Sequence, residues 1–177
     1  MTMNAKQNYK WNELTMGTCY YPEHWDESLW RDDLKRMLEN GIEVIRIAEF
    51  AWSKIERYEG VFNYDFFDRF LDVAADMGMK VIFCTPTATP PAWLTEKYPE
   101  VLNANMDGVL YRHGGRRHYN YNSPKYQELT TIIVEKSASH YAKHPAIIGW
   151  QIDNEINCEK NKFYSESDTI AFRKFLM

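Results

Sequence analysis

Three polar residues in succession, Asp153, Asn154 and Glu155, follow the apolar run 147–152. Such a run is typical of a buried strand, so Glu155 would stand where that strand leaves its sheet. A partly desolvated carboxylate at that position is suited to general acid catalysis, because it can carry a proton to a leaving group. The alternative is a loop carboxylate that caps a helix or forms an ion pair, and the spacing is compatible with both.

A basic and aromatic segment, Arg116-Arg117-His118-Tyr119, lies in a long stretch rich in Pro, Asn and Gly. Guanidinium groups present several N–H donors in a planar fork, which suits the binding of hydroxyl and carboxylate groups. The segment is therefore a candidate substrate clamp. A solvated basic turn is the more common use of such a segment.

Arg46, Glu49 and Trp52 belong to a second apolar strand and the residues that follow it. A charge inside an apolar strand requires a partner, so Arg46 either pairs with Glu49 or contacts a substrate. Trp52 is a candidate platform for stacking on a sugar ring, although tryptophan is more often packed in a core.

The cysteines and histidines show no spacing typical of a metal site. Cys19, Cys84 and Cys158 are far apart, and Cys19 and Cys84 are predicted to be buried, inert thiols. His140 and His144 are four residues apart, but they lack the intervening glutamate of a zinc-binding helix. We predict no metal ion and no other cofactor.

The composition excludes several classes of function. The 177 residues carry a net charge of -4, opposite in sign to the basic surface of a nucleic-acid-binding protein. The apolar runs are shorter than the roughly 20 residues of a membrane helix, and the first residues lack the apolar segment of a secretory signal. Together with the odd number of cysteines, this predicts a cytoplasmic protein without nucleic-acid or membrane partners.

Strands and amphipathic helices alternate along the chain. Strands are predicted at 14–21, 42–48, 80–85 and 146–152, of which 42–48 is rich in β-branched residues. Helical periodicity predicts helices at 26–40, 64–77, 91–97 and 124–143. A further helix is expected to begin at Ser165 or Ser167, and the segment 50–60 is predicted to be a loop.

This order predicts a parallel sheet of the α/β class with right-handed crossovers. A doubly wound sheet and a (β/α)₈ TIM barrel both fit, but no GxGxxG or GxxxxGK[ST] motif follows a strand, which weakens the nucleotide-binding fold. The polar residues follow the strands, where barrel enzymes place their active sites. Because a barrel has eight strands, we predict about the first four βα units of a TIM barrel over residues 13–177, preceded by an extension at 1–12.

Five segments carry a more specific signal than the periodicity does. They are 17–25 (GTCYYPEHW), 45–53 (IRIAEFAWS), 85–94 (TPTATPPAWL), 116–119 (RRHY) and 149–155 (GWQIDNE). In this order they resemble glycoside hydrolase family 42, the β-galactosidases, and the resemblance extends from about residue 16 to the last residue.

The resemblance implies a (β/α)₈ catalytic domain in which two glutamates hydrolyse terminal β-galactosides with retention of configuration. It implies that Glu155 is the acid/base, that Asn154 binds the hydroxyl next to the reacting carbon, and that Arg116 contacts galactose. The family's nucleophile follows the seventh strand, so this chain lacks it and is expected to be inactive, or nearly so, by itself.

The resemblance also implies a β-galactoside oligosaccharide as substrate and a homo-oligomeric, trimeric parent enzyme. Some members hold zinc with cysteines, one of them at the position of Asn120 and others after the Asn-Glu pair, where this chain has only Cys158. We therefore expect no zinc. Two alternatives remain: a non-catalytic, carbohydrate-binding half barrel, or a related glycosidase of the same clan with another sugar preference.

Overall fold

The computed structural model describes residues 14–156 and 162–177, so the predicted extension at 1–12 and Cys158 lie outside the described residues. Its strands are β1 (Met16–Cys19), β2 (Ile42–Ile47), β3 (Glu56–Tyr58), β4 (Val61–Phe62), β5 (Lys80–Cys84) and β6 (Ile147–Gln151). Its α-helices are α1 (Trp30–Glu39), α2 (Trp52–Ile55), α3 (Asp65–Asp76), α4 (Ala92–Lys97), α5 (Pro124–Tyr141) and α6 (Glu166–Phe175).

The described chain forms two compact units, of which the first contains residues 14–48, 64–84 and 141–151. We call it the sheet unit, because it holds a parallel sheet in the order β1-β2-β5-β6. Arg46 on β2 is opposite Cys19 on one side and Ile82 on the other. Parallel neighbours require crossover connections, and the helices between these strands supply them.

Helices α1 and α3 pack beside this sheet, with α1 against β2 and α3 against β5. The Trp30 ring meets the edges of Phe66 and Phe70 at centroid distances of 5.2 Å. Burying one such side chain contributes about 1.5–3 kcal/mol, so these aromatic contacts are a substantial part of the core. Gly41 and Gly78, both at φ +77, follow α1 and α3, where a left-handed residue ends the helix without the strain of a Cβ atom.

The second unit, the loop unit, contains residues 49–63, 85–140 and the described residues from 152 onward. Helix α2 packs on β3, and β3 pairs with β4 in an antiparallel hairpin. The long segment before α5 is tied by isolated bridges, Leu102 with Tyr119 and Ala104 with Leu110. This unit has its own core, in which Tyr119 stacks on Tyr126 of α5 at 4.9 Å between ring centroids.

The predicted strands and long helices are present, with ends that differ by up to two residues, except that the first helix begins at Trp30 and not at residue 26. Asp26 does not cap α1: its Oδ1 accepts from the Ser28 amide at 2.9 Å and begins a 3₁₀ turn at Glu27–Leu29. The predicted loop at 50–60 is wrong, because α2 and β3 lie within it. Elements of three or four residues are too short for a periodic pattern to be visible.

No helix in residues 14–156 or 162–177 combines the length and the apolar character that crossing a membrane requires.

Candidate active site

The turn after β6 has a strained backbone. Asp153 and Glu155 have φ angles of 55 and 45, in the left-handed region. A residue other than glycine in this region costs on the order of 1–3 kcal/mol, so surrounding contacts must hold it there. Two bonds do so within the loop unit: the Asp153 amide donates to Thr85 Oγ1 at 2.7 Å, and the Asn154 amide donates to Asp153 Oδ1 at 2.6 Å.

Glu155 and Arg116, both candidates from the sequence, are brought together although they are 39 residues apart in the chain. Arg116 Nη2 donates to Glu155 Oε2, and about half of each side chain is exposed, 53% and 51%. The expected desolvation of Glu155 is therefore not found, because its side chain lies at an exposed ion pair and not in an apolar pocket. The third candidate, Asn154, is buried.

Arg117, the residue after Arg116, is buried. The sequence predicted no separate role for it. Only 4% of its side chain is exposed. Its Nη1 donates to Tyr119 Oη at 2.6 Å and to Tyr121 Oη at 2.8 Å, and its Nη2 donates to the backbone carbonyls of Asn154 and Glu155. A buried charge needs several acceptors, and these hydroxyls and carbonyls provide them.

A cavity of about 400 Å³ opens beside these residues within the loop unit. Its lining is formed by the segments 88–92 and 113–118 together with Phe50, Ser53 and Asn154. The walls combine apolar rings, from Phe50 and the prolines, with the guanidinium and amide groups of Arg116 and Asn154. A concave site with apolar walls and a few polar groups can bind a small polar ligand such as a sugar.

His118 also lines this cavity, and it is 95% buried. Its Nδ1 lies 2.5 Å from the Gly115 carbonyl oxygen, whereas Nε2 has no hydrogen-bond partner among the described residues. Burial lowers the pKa of His118, so the neutral ring is favoured. The sequence placed His118 in the basic segment, but burial was the signal needed to single it out.

Trp52 and Arg46, whose roles the sequence left open, both form bonds within their own units. The Trp52 side chain is fully buried and donates through Nε1 to Glu56 Oε2 at 2.7 Å, so it is a core residue and not a stacking platform. Arg46 bonds within the sheet unit, to Gln151 Oε1 at 2.8 Å and to Cys19 Sγ at 3.0 Å. Cys84 is buried as predicted, but the prediction for Cys19 is wrong: β1 is the first strand in the sheet order, and Cys19 is exposed.

At Asn120, where the resemblance implies a zinc-binding cysteine in some members of the family, the described residues do not fit that metal. Asn120 replaces a thiolate, and its Nδ2 donates to Ser165 Oγ and to Asp168 Oδ2, the latter at 2.7 Å. An amide donor that is already bonded in this way is not a zinc ligand. Over residues 14–156 and 162–177, no three His, Cys, Asp or Glu side chains are grouped to hold a metal ion.

The chain is similar to known proteins over most of its length. Residues 19–177 match the glycoside hydrolase 42 family, described as β-galactosidase. The β-galactosidase Bga of Halorubrum lacusprofundi is 40% identical over 92% of this chain and 23% of its own length. A β-galactosidase of Thermus thermophilus is 42% identical over 91% of this chain and 25% of its own.

Solved structures give the same result. The crystal structure of a β-galactosidase from the psychrophilic Marinomonas ef1 is 41% identical, with a TM-score of 0.89, over 92% of this chain and 25% of the other. The chain thus spans about a quarter of the length of these relatives. The predicted fold class, a partial (β/α)₈ barrel, is confirmed by this likeness. With the family match covering most of its residues, the chain belongs to glycoside hydrolase family 42, the β-galactosidases.

Proposed function

We propose that this chain is the acid/base-bearing segment of a retaining β-galactosidase. The observation that carries the proposal is the pairing of Arg116 with Glu155 beside the cavity, in a member of a family whose relatives are β-galactosidases. A nucleophile carboxylate attacks the anomeric carbon while Glu155 protonates the departing glycosidic oxygen, and Glu155 then removes a proton from the water that displaces the nucleophile from that carbon. The nucleophile is supplied by residues beyond the seventh strand, about 5–5.5 Å from the Glu155 carboxyl group in the assembled site.

Arg116 and Asn154 are the galactose-binding residues of this proposal. An ion pair whose partners are about half exposed contributes only about 0–1 kcal/mol, so an entering sugar can displace it at little cost. Sugar hydroxyls then take the Arg116 donors, and the Glu155 carboxyl group becomes available to the glycosidic oxygen. Asn154, buried at the edge of the cavity, presents its amide to the hydroxyl next to the reacting carbon.

The test is a chimera in which residues 14–177 replace the matching segment of the Thermus thermophilus β-galactosidase. We expect the chimera to hydrolyse aryl β-galactosides in preference to β-glucosides and β-xylosides. Glu155→Gln should abolish turnover of alkyl galactosides, which have poor leaving groups, and spare aryl galactosides with good ones, because only the former need an acid. Glu96→Gln, at an exposed glutamate of α4, is the matched control and should leave both rates unchanged.

An inactive chimera beside an active, equally treated relative would overturn the proposed function. Equal loss on both kinds of leaving group in the Glu155→Gln variant would remove Glu155 from the acid role. Binding of galactose without turnover would favour the carbohydrate-binding alternative, and a preference for glucosides would favour another glycosidase of the clan.

We also propose that the longer protein acts in the cytoplasm and assembles as a homo-oligomer, a trimer. The odd number of cysteines, three in 177 residues, supports a reducing compartment. The trimer rests on the family resemblance. Sedimentation analysis of the longer protein checks it.

A further inference from the structure

Two arginines that are adjacent in the chain bond to different parts of Glu155, one to its side chain and one to its backbone. Arg116 bonds to the carboxyl group of Glu155, and Arg117 bonds to the backbone carbonyls of Asn154 and Glu155. Arg117 has a φ of 56, so its backbone also lies in the left-handed region. One arginine is exposed at the cavity, and the other is buried.

The buried arginine is itself bonded to a cluster of tyrosines in the loop unit. Its Nη1 is bonded to the hydroxyls of Tyr119 and Tyr121, and the Tyr119 ring stacks on Tyr126 of α5. Tyr126 donates its hydroxyl to the Thr87 carbonyl at 2.8 Å. A continuous set of contacts therefore extends from a long helix, through the guanidinium, to the turn that carries Glu155.

We propose that Arg117 is a positioning residue, which fixes the left-handed turn at 153–155 and thereby sets the direction of the Glu155 side chain. The proposal rests on the proposed function for its catalytic meaning. The turn needs such support, since neither Asp153 nor Glu155 is a glycine and both have positive φ angles. Arginine suits the task because its planar fork can bond two carbonyls and two hydroxyls at once, whereas the lysine ammonium is a single point charge.

The first measurement is amide hydrogen exchange in the 177-residue chain, with Arg117→Lys compared with wild type. Since each lost hydrogen bond from a charged group is worth about tenfold or more in an equilibrium, we expect the Asp153 and Asn154 amides to exchange at least about tenfold faster. The amides of β5 should keep their wild-type rates. Arg112→Lys, at an exposed arginine of the same loop, is the matched control and should change neither set.

Exchange at Asp153 and Asn154 within twofold of wild type would overturn the proposal, as would an equal acceleration throughout β5. If Arg117→Lys fails to fold, Tyr121→Phe replaces it, because this variant removes one acceptor from the guanidinium and keeps the ring. The same local acceleration, smaller in size, is then expected, and its absence overturns the proposal.

The second measurement separates positioning from simple structural support. In the chimera, Arg117→Lys should lower kcat for alkyl galactosides at least about tenfold more than for aryl galactosides with good leaving groups, because a misdirected acid matters only to the former. A merely structural role would lower the amount of active enzyme and reduce both rates by the same factor, and that result would overturn the proposal.

The two measurements keep the two proposals apart. Exchange in the turn involves no sugar, so it supports or overturns the role of Arg117 even if the chimera hydrolyses no galactoside. A chimera that hydrolyses no galactoside would overturn only the proposed function.

Discussion

Glu155 and Arg116 are within bonding distance, yet the pair contributes little to stability. Both side chains are about half exposed, and ion pairs of this kind contribute about 0–1 kcal/mol. Arg117, one residue away, is in the opposite situation: it is buried and bonded to hydroxyls and carbonyls. The exposed Arg116 can therefore contact a ligand, whereas the buried Arg117 connects parts of the loop unit.

Arg116→Ala is expected to separate binding from stability. In the 177-residue chain, the free energy of unfolding should stay within about 1 kcal/mol of wild type, because the lost ion pair is exposed. In the chimera, KM for a galactoside should rise at least about tenfold, the effect of losing a hydrogen bond from a charged donor. Urea unfolding and steady-state kinetics measure the two quantities.

Arg112→Ala in the same loop is the control, and it should leave KM and stability unchanged. An unchanged KM in Arg116→Ala, or a loss of stability above about 2 kcal/mol, would contradict the assignment of Arg116 to the sugar.

At the scale of elements, the β3–β4 hairpin and α2 are joined by one buried carboxylate. Glu56 Oε2 accepts from Trp52 Nε1 and Oε1 accepts from the Gly60 amide, both at 2.7 Å. Burial raises the pKa of Glu56, and the bonds from Trp52 and Gly60 act against that rise. Gly60 has a φ of +77 at the hairpin turn, so its amide direction is set by a conformation that favours glycine.

Glu56→Ala should destabilise the chain by roughly 1–3 kcal/mol, because it leaves the indole N–H of the buried Trp52 without an acceptor and removes the bond to the Gly60 amide. Urea unfolding followed by tryptophan fluorescence measures the loss. Glu96→Ala, at an exposed glutamate of α4, should change the free energy of unfolding by no more than about 0.5 kcal/mol. Similar values for the two variants would show that the Glu56 bonds are not a significant source of stability.

At the scale of the whole molecule, strand edges and apolar side chains are exposed. In the described sheet, β1 and β6 are the first and last strands of the order, each paired with one neighbour. Ile170, Phe172 and Phe175 are exposed on α6. Unpaired strand edges and exposed apolar surface both favour association.

The 177-residue chain is therefore expected to self-associate at micromolar concentration, as measured by sedimentation velocity over a range of concentrations. Phe172→Lys combined with Phe175→Lys should reduce the associated fraction, because charge on an exposed apolar helix opposes contact. Arg173→Lys on the same helix is the control and should not reduce it. A single monomeric species at every concentration would contradict the expectation.

Local pattern was sufficient for much of the fold and for part of the site. Periodicity located β2, β5, β6 and the long helices, because the period of apolar residues follows from the geometry of one element. It missed α2 and β3, which are too short to carry a period. The motifs singled out Arg116, Asn154 and Glu155, and the structure places Arg116 beside Glu155.

The sequence by itself determined the family, the parallel βα order and the residue types that can do acid/base chemistry, because these depend on neighbours in the chain. Only the tertiary structure decided which arginine is exposed and which is buried, since Arg116 and Arg117 are adjacent and chemically identical. It also decided that Trp52 is buried and Cys19 exposed. The two arginines bond to residues 37 to 39 positions away in the chain, and no local spacing records which distant residues come together.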